Sequence, residues 1–164
     1  MDVWEDFMFL PISDYIFKAI GERVFPLDAN FISPEGDYIT VKVAQIKEIS
    51  WGDGNSYAQE DTGLKVYQTI YEADVRIVGY GNSAMGKLQS IVQGFREKNL
   101  TKILRDKDIA CFKHLPVRDT SFGFDDKIEI RYETICSFRF IQSGEDRGDD
   151  PSYIETAGVT ATYN

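Results

Sequence analysis

Histidine occurs once and cysteine twice in these 164 residues, and the two shortages remove whole classes of chemistry. His114 has no second histidine to share a metal with, and Cys111 and Cys136 stand apart with no CxxC spacing. A structural zinc site, a disulfide framework and a histidine-based nucleophile pair therefore lack their parts. We expect two buried thiols, and a histidine that is a surface or strand-end residue. No apolar run approaches the roughly 18 residues of a membrane span, and Met1-Asp2-Val3-Trp4-Glu5-Asp6 lacks the basic leading segment of an export signal. The expectation is an unexported chain with no membrane partner. Cations are also scarce, with 18 Lys and Arg against 27 Asp and Glu for a net charge of −9. A protein that lived by neutralising phosphates would reverse that balance, so specific DNA binding is not expected, although DNA passing by without specific binding would be tolerated.

Short motifs add little chemistry. Asp53-Gly54-Asn55 looks like a fragment of a calcium loop, without the acidic spacing and closing glutamate that such a loop needs. Gly79-Tyr80-Gly81 precedes a helix start but has neither the third glycine of a dinucleotide fingerprint nor the Lys-Ser/Thr of a phosphate loop. No catalytic residue, metal or cofactor is expected.

What the chain does have is 43% hydrophobic and 13% aromatic residues, enough for one core and one domain spanning 1–164. Its most informative stretch runs from Lys127 to Gln142. Ile128, Ile130, Tyr132, Cys136, Phe138 and Phe140 fall on one parity, and Glu129, Arg131, Glu133, Ser137 and Arg139 on the other. That is the period of a strand, and at about 3.3 Å per residue it would reach roughly 50 Å, far beyond an ordinary strand. It must bend or leave its own domain.

Elsewhere the spacing predicts a helix from Tyr15 to Phe25, started by Pro11-Ile12-Ser13-Asp14 and stopped by Pro26. A strand follows over Tyr38–Ser50, then a polar loop over 51–64, then an extended run from Lys65 to Tyr80 that pairs antiparallel with the first. Asn82-Ser83 caps the main helix, with Met85, Leu88, Val92 and Phe95 on one face, and Asn99 and Thr101 break or recap it. A short strand begins at Ile109, the long strand follows, 143–152 reads as an acidic loop, and Tyr153–Tyr163 is a last strand. This order is α+β: two principal helices packed on an antiparallel or mixed sheet of about four to five strands.

Tyr67-Gln-Thr-Ile-Tyr-Glu-Ala-Asp-Val-Arg-Ile-Val-Gly-Tyr-Gly81, the helix opening Asn82-Ser-Ala-Met-Gly-Lys-Leu88, Leu104-Arg-Asp-Lys-Asp-Ile-Ala110 and Asp126-Lys-Ile-Glu-Ile-Arg-Tyr-Glu133 are stretches whose pattern resembles the phage neck or tail terminator family. The resemblance covers 38–142 and lies in pattern and order more than in invariant motifs. It implies a structural virion protein, assembled in the host cytoplasm and placed at the neck. There a homohexameric ring would cap the tail tube and join the tail to the head-side connector, with a tail sheath as a further partner. A head-side stopper ring is the alternative in the same biology. A small ligand-binding or hydrolytic α+β domain, with its site in the acidic loops, is the alternative from another class.

Three groups of residues follow as candidates. Arg76, Glu129, Arg131, Glu133 and Arg139 mix both signs on strand faces, as suits a subunit meeting its own copy. Trp4, Phe7, Phe9 and Leu10 form an apolar cluster within residues 1–12, outside any element expected there, and read as a docking arm. Asp53, Glu60 and Asp61 in one loop, with Glu145, Asp146, Asp149 and Asp150 in the other, would repel phosphate if they faced a channel.

Overall fold

Strand residues of one parity supply most of the apolar core. Ile39 and Val41, then Ala73, Val75 and Ile77, then Cys136, Phe138 and Phe140 are all buried, and they stand opposite one another across three adjacent strands. The computed structural model describes residues 3–27, 32–49, 55–58, 65–124, 127–146, 153–156 and 159–162. In chain order the elements are α1 (Val3–Ile20), β1 (Val24–Pro26), β2 (Tyr38–Glu48), β3 (Asn55–Ala58), β4 (Lys65–Tyr80), α2 (Ala84–Gly94) and α3 (Lys98–Arg105). They continue with β5 (Ile109–His114), β6 (Arg118–Asp119), β7 (Phe122–Phe124), β8 (Lys127–Glu129), β9 (Arg131–Asp146), β10 (Tyr153–Thr156) and β11 (Val159–Thr162).

The main sheet runs β1-β2-β4-β9-β10-β11, with β3 beside β4 and with β5 and β6 beside β9. Among the described residues, only β1 against β2 is parallel within it. The α+β class stands as expected, with more and shorter strands and a third helix. Its axis is the antiparallel ladder of β4 on β9, continuous from Lys65↔Asp146 to Tyr80↔Arg131. The helices cover the apolar face. Met8, Ile12, Tyr15 and Ile16 of α1, Leu88 and Ile91 of α2, and Leu104 of α3 are buried against it.

Several boundaries depart from the sequence expectation. The first helix starts at Val3 and runs through Pro11, although an interior proline costs about 3 kcal/mol. Met8, Ile12, Tyr15 and Ile16 recur at helical spacing and are each 0% exposed, and burying each such side chain contributes about 1.5–3 kcal/mol, which outweighs the proline. The helix ends at Gly21, whose φ of +75 suits a left-handed C-cap and whose N–H donates to Phe17 O at 2.8 Å. Val24–Pro26, expected as the helix end, is instead β1.

The long strand also differs. It breaks at Ile130, so Lys127–Glu129 pairs with β7 in a two-stranded sheet of its own, and Ile128 is 78% exposed. At its other end it reaches Asp146, so Ser143–Asp146, expected as loop, pairs with Gln68–Lys65. There the backbone ladder is carried by the partner strand, whatever the side chains. The stretch 51–64 holds β3, and the last expected strand is the β10–β11 hairpin.

The turn from β4 into α2 explains the glycine pair that resembled a phosphate loop. A Cβ on Gly79 would sit 2.9 Å from Ala84 Cβ, so the helix start presses directly on the strand. Gly81 has φ +92, and next to it Asp37 caps the helix from a distant loop. The Ser83 N–H donates to Asp37 Oδ2 at 3.0 Å, and the Ser83 hydroxyl donates to the same oxygen. The place an external anion would take at this helix start is filled by the protein's own carboxylate.

Those hydrogen bonds, from the hydroxyl first and the backbone second, hold the Asp37 carboxyl below its ordinary value. An acid with a depressed folded pKa stabilises above its unfolded value, about 3.9, and stops doing so as pH falls through the lower folded value. Asp37→Asn keeps an acceptor at the helix start and removes the titration. Its thermal midpoint should therefore fall less steeply than the parent's below about pH 4. Superimposable acid limbs would show that the cap has no pH dependence.

Candidate functional site

The sheet face opposite the helices carries the alternate parity, and on it charges are matched across strands. In the row Tyr38–Tyr80–Arg131, the two tyrosine rings stack at 4.4 Å. Arg131 lies with its guanidinium 5.1 Å from the Phe122 ring centre and donates from Nε to Thr120 Oγ1 at 3.2 Å. In the next row Thr40 and Val78 are buried, and Glu133 accepts from Arg76 Nε at 2.9 Å and pairs with its Nη2 as well. Further along, the Ser137 hydroxyl donates to Asp74 Oδ1 at 2.6 Å.

The last row is a triad. Glu72 pairs with Lys47 at 2.7 Å on one side and with Arg139 at 3.4 Å on the other. Lys47 chiefly, and Arg139 next, hold the Glu72 carboxyl below its ordinary value. The Arg139 guanidinium also sits 4.3 Å from the centre of the Phe112 ring. Solvent screens pairs of this kind, and they add little to stability. Their consequence is geometric: they fix Lys47, Glu72, Arg76, Glu133 and Arg139 in place.

Of the five residues proposed for a subunit contact, Arg76, Arg131, Glu133 and Arg139 share this face. Glu129 lies on β8, off the main sheet, and is exposed. Arg76 and Glu133 bind each other, and Arg139 binds Glu72. Lys47, Glu72, Asp74, Thr120, Phe112 and Phe122 were missed by the sequence reading. The alternation Glu72-Asp74-Arg76 on β4 was the available signal for two of them.

The supposed docking arm is the first half of α1. Phe7 and Phe9 are half-buried and pack against the core, and the Phe7 ring lies 5.6 Å from that of Phe140. Leu10 is exposed at 62%, and the Trp4 side chain lies outside the described residues. Phe17, one helical repeat from Leu10, is exposed as well. In the acidic group, Glu145 and Asp146 belong to β9 opposite Val66 and Lys65. Asp53, Glu60, Asp61, Asp149 and Asp150 lie outside the described residues.

Groups with reactive potential are packed away or spread out. Cys136 is buried and Cys111 half-buried. The Cys136 thiol is pushed up by its hydrogen bond to Cys111 and by burial, which keeps it protonated. His114 is exposed at the end of β5. Among the described residues no three His, Cys, Asp or Glu side chains gather as a metal site would require. A recess lined by Leu115, Pro116, Arg118, Glu133, Thr134 and Ile135 encloses only about 10 Å³, far below the roughly 300–1,000 Å³ of small-molecule sites.

Compared with protein families, residues 7–164 match the model of one described as phage neck terminator protein. No curated protein matches the chain.

Proposed function

The chain belongs to the phage neck terminator family, a family of structural tail proteins, and from that premise we propose that it forms a ring closing the tail tube. One side of the ring ends tube polymerisation, and the other receives the head-side connector or stopper. A homohexamer is the expected ring, made in the host cytoplasm, with a sheath as a further neighbour where the tail is contractile. The single observation that carries this reading is the family match over nearly the whole chain.

Geometry and charge support it. The β4–β9 ladder is a long plate suited to contacts with more than one neighbour. The net charge of −9 opposes a firm hold on a phosphate backbone, which suits DNA passage. The acidic residues near the end of β9, from Glu145 to Asp150, are the candidates for a channel lining.

The test is native mass spectrometry with negative-stain imaging of the purified protein, alone and with tail tube protein. Rings that cap tube ends are expected. Rings that ignore tubes and bind the connector would make it a stopper. A monomer that never assembles, even on tubes, would overturn the ring reading in favour of a ligand-binding domain.

A further inference from the structure

We propose that the cationic part of the sheet face opposite the helices, around Lys42, Lys47, Lys113, Arg139 and Phe112, docks on an acidic surface of the next copy in the ring. The proposal rests on the ring reading above and names the surface that carries it.

Register assembles the patch from four strands. Lys42 stands opposite Arg76, Gln45 opposite Asp74 and Lys47 opposite Glu72 across β2 and β4. On β9, Ser137 and Arg139 stand opposite Asp74 and Glu72, and Ile141 opposite Ile70. Beyond them β5 sets Lys113 against Ser137 and Ala110 against Arg139. The bulge between Cys111 and Lys113 leaves Phe112 on the same side, where the Arg139 guanidinium lies 4.3 Å from its ring centre. Every one of these strands is antiparallel to its neighbour, so residues directly opposite share a face.

Height separates the two signs. The Glu72 and Glu133 side chains are 14% and 18% exposed, against 49% for Lys47 and 54% for Arg139. Lys42 and Lys113 are exposed and belong to none of the ion pairs among the described residues. The carboxylates lie low between the strands and the cationic tips stand outermost, so an approaching surface meets positive charge first. Lys42, Lys47, Arg76, Lys113 and Arg139 outnumber Glu72, Asp74 and Glu133 by two, and with the chain at −9 the rest of each copy carries −11. A second copy therefore offers the opposite sign everywhere but at this patch. Phe112 and Ile141 are exposed among the cations. Aromatic rings and arginine together are the composition of protein contacts, and a phosphate backbone would not cover the apolar area. Two copies meeting by the same patch would set like charges against each other, which disfavours a two-fold pair. A contact between different surfaces remains, the kind that closes into a ring.

The test is native mass spectrometry over a dilution series of the full chain. Lys42→Glu with Lys113→Glu, both at exposed positions, should raise the concentration for half-assembly about tenfold, and added salt should weaken the parent more than this variant. Phe112→Ala keeps every charge and should raise it about tenfold as well. Lys98→Glu with Lys102→Glu, exposed on α3, makes the same charge change off the patch and should leave assembly where it was. Patch variants that assemble like the parent would overturn the contact between copies alone. If those variants then fail to cap tail tubes, the patch belongs to the tube protein. If the parent holds labelled duplex DNA and the Lys42→Glu, Lys113→Glu variant releases it, the patch belongs to DNA. A parent that forms no rings, alone or on tubes, would overturn the ring reading and this contact with it.

Discussion

Phe138→Ala is expected to cost about 3–5 kcal/mol, a large part of the roughly 5–15 kcal/mol that holds a domain of this kind together. Phe138 is fully buried in the middle of β9, opposite Ala73 on β4 and Cys111 on β5. Its ring meets Phe95 edge-on at 5.7 Å, and Phe95 stacks on Tyr15 at 4.7 Å. The Tyr15 hydroxyl in turn donates to Ile91 O at 2.6 Å. This chain of rings ties the sheet to α2 and α1 together. The residues flanking Phe138 across the strands are small, so truncation leaves a hole that its neighbours cannot fill, which places the cost toward the upper end of the range. Urea unfolding measures it, with Phe138→Leu as the comparison, expected to lose less because most of the volume remains. A loss under about 1 kcal/mol for the alanine variant would show that the helices settle into the gap.

Gly81→Ala is expected to cost about 2–3 kcal/mol through two effects at one position. Its φ of +92 strains any residue with a side chain, and the new Cβ would lie 1.8 Å from Asp37 Oδ1. The carboxylate must swing away, and with it goes the cap on Ser83. A double-mutant cycle separates the two. In an Asp37→Ala background the cap is already gone, so Gly81→Ala should cost only the backbone strain, about 1–2 kcal/mol. Equal costs in both backgrounds would show that Asp37 relocates without losing its hydrogen bonds.

How much of this was legible in the sequence depends on whether one side of an element is buried. Ile39, Val41, Val75, Ile77, Cys136 and Phe138 announce their strands because alternate positions face the helices. From Ser143 to Asp146 no such contrast exists, and only pairing with β4 makes that stretch a strand. Pro11 looked like a beginning because propensity is local, whereas the burial of Met8 and Ile12 that carries the helix through it is not. Glu133 and Arg139 could be read as members of a charged face. Their partners Arg76 and Glu72 depend on the register between β4 and β9, which no neighbouring residue encodes. The Asp37 cap was beyond reach for the same reason, since Asp37 and Ser83 meet only once β2 and β4 are paired.

The β4–β9 ladder also sets the order in which this molecule can come into being. Lys65 must find Asp146 and Tyr80 must find Arg131, with α2, α3 and β5 to β8 strung between them. Closing so long a loop costs entropy before any pair returns it, and sheets dominated by such distant pairings fold slowly, in milliseconds to seconds. During synthesis β4 leaves the ribosome well before its central partner exists, with one long flank unmatched. Until β9 arrives, the nascent chain is a sticky intermediate, and its last large strand is the piece that turns it into a subunit fit to join others.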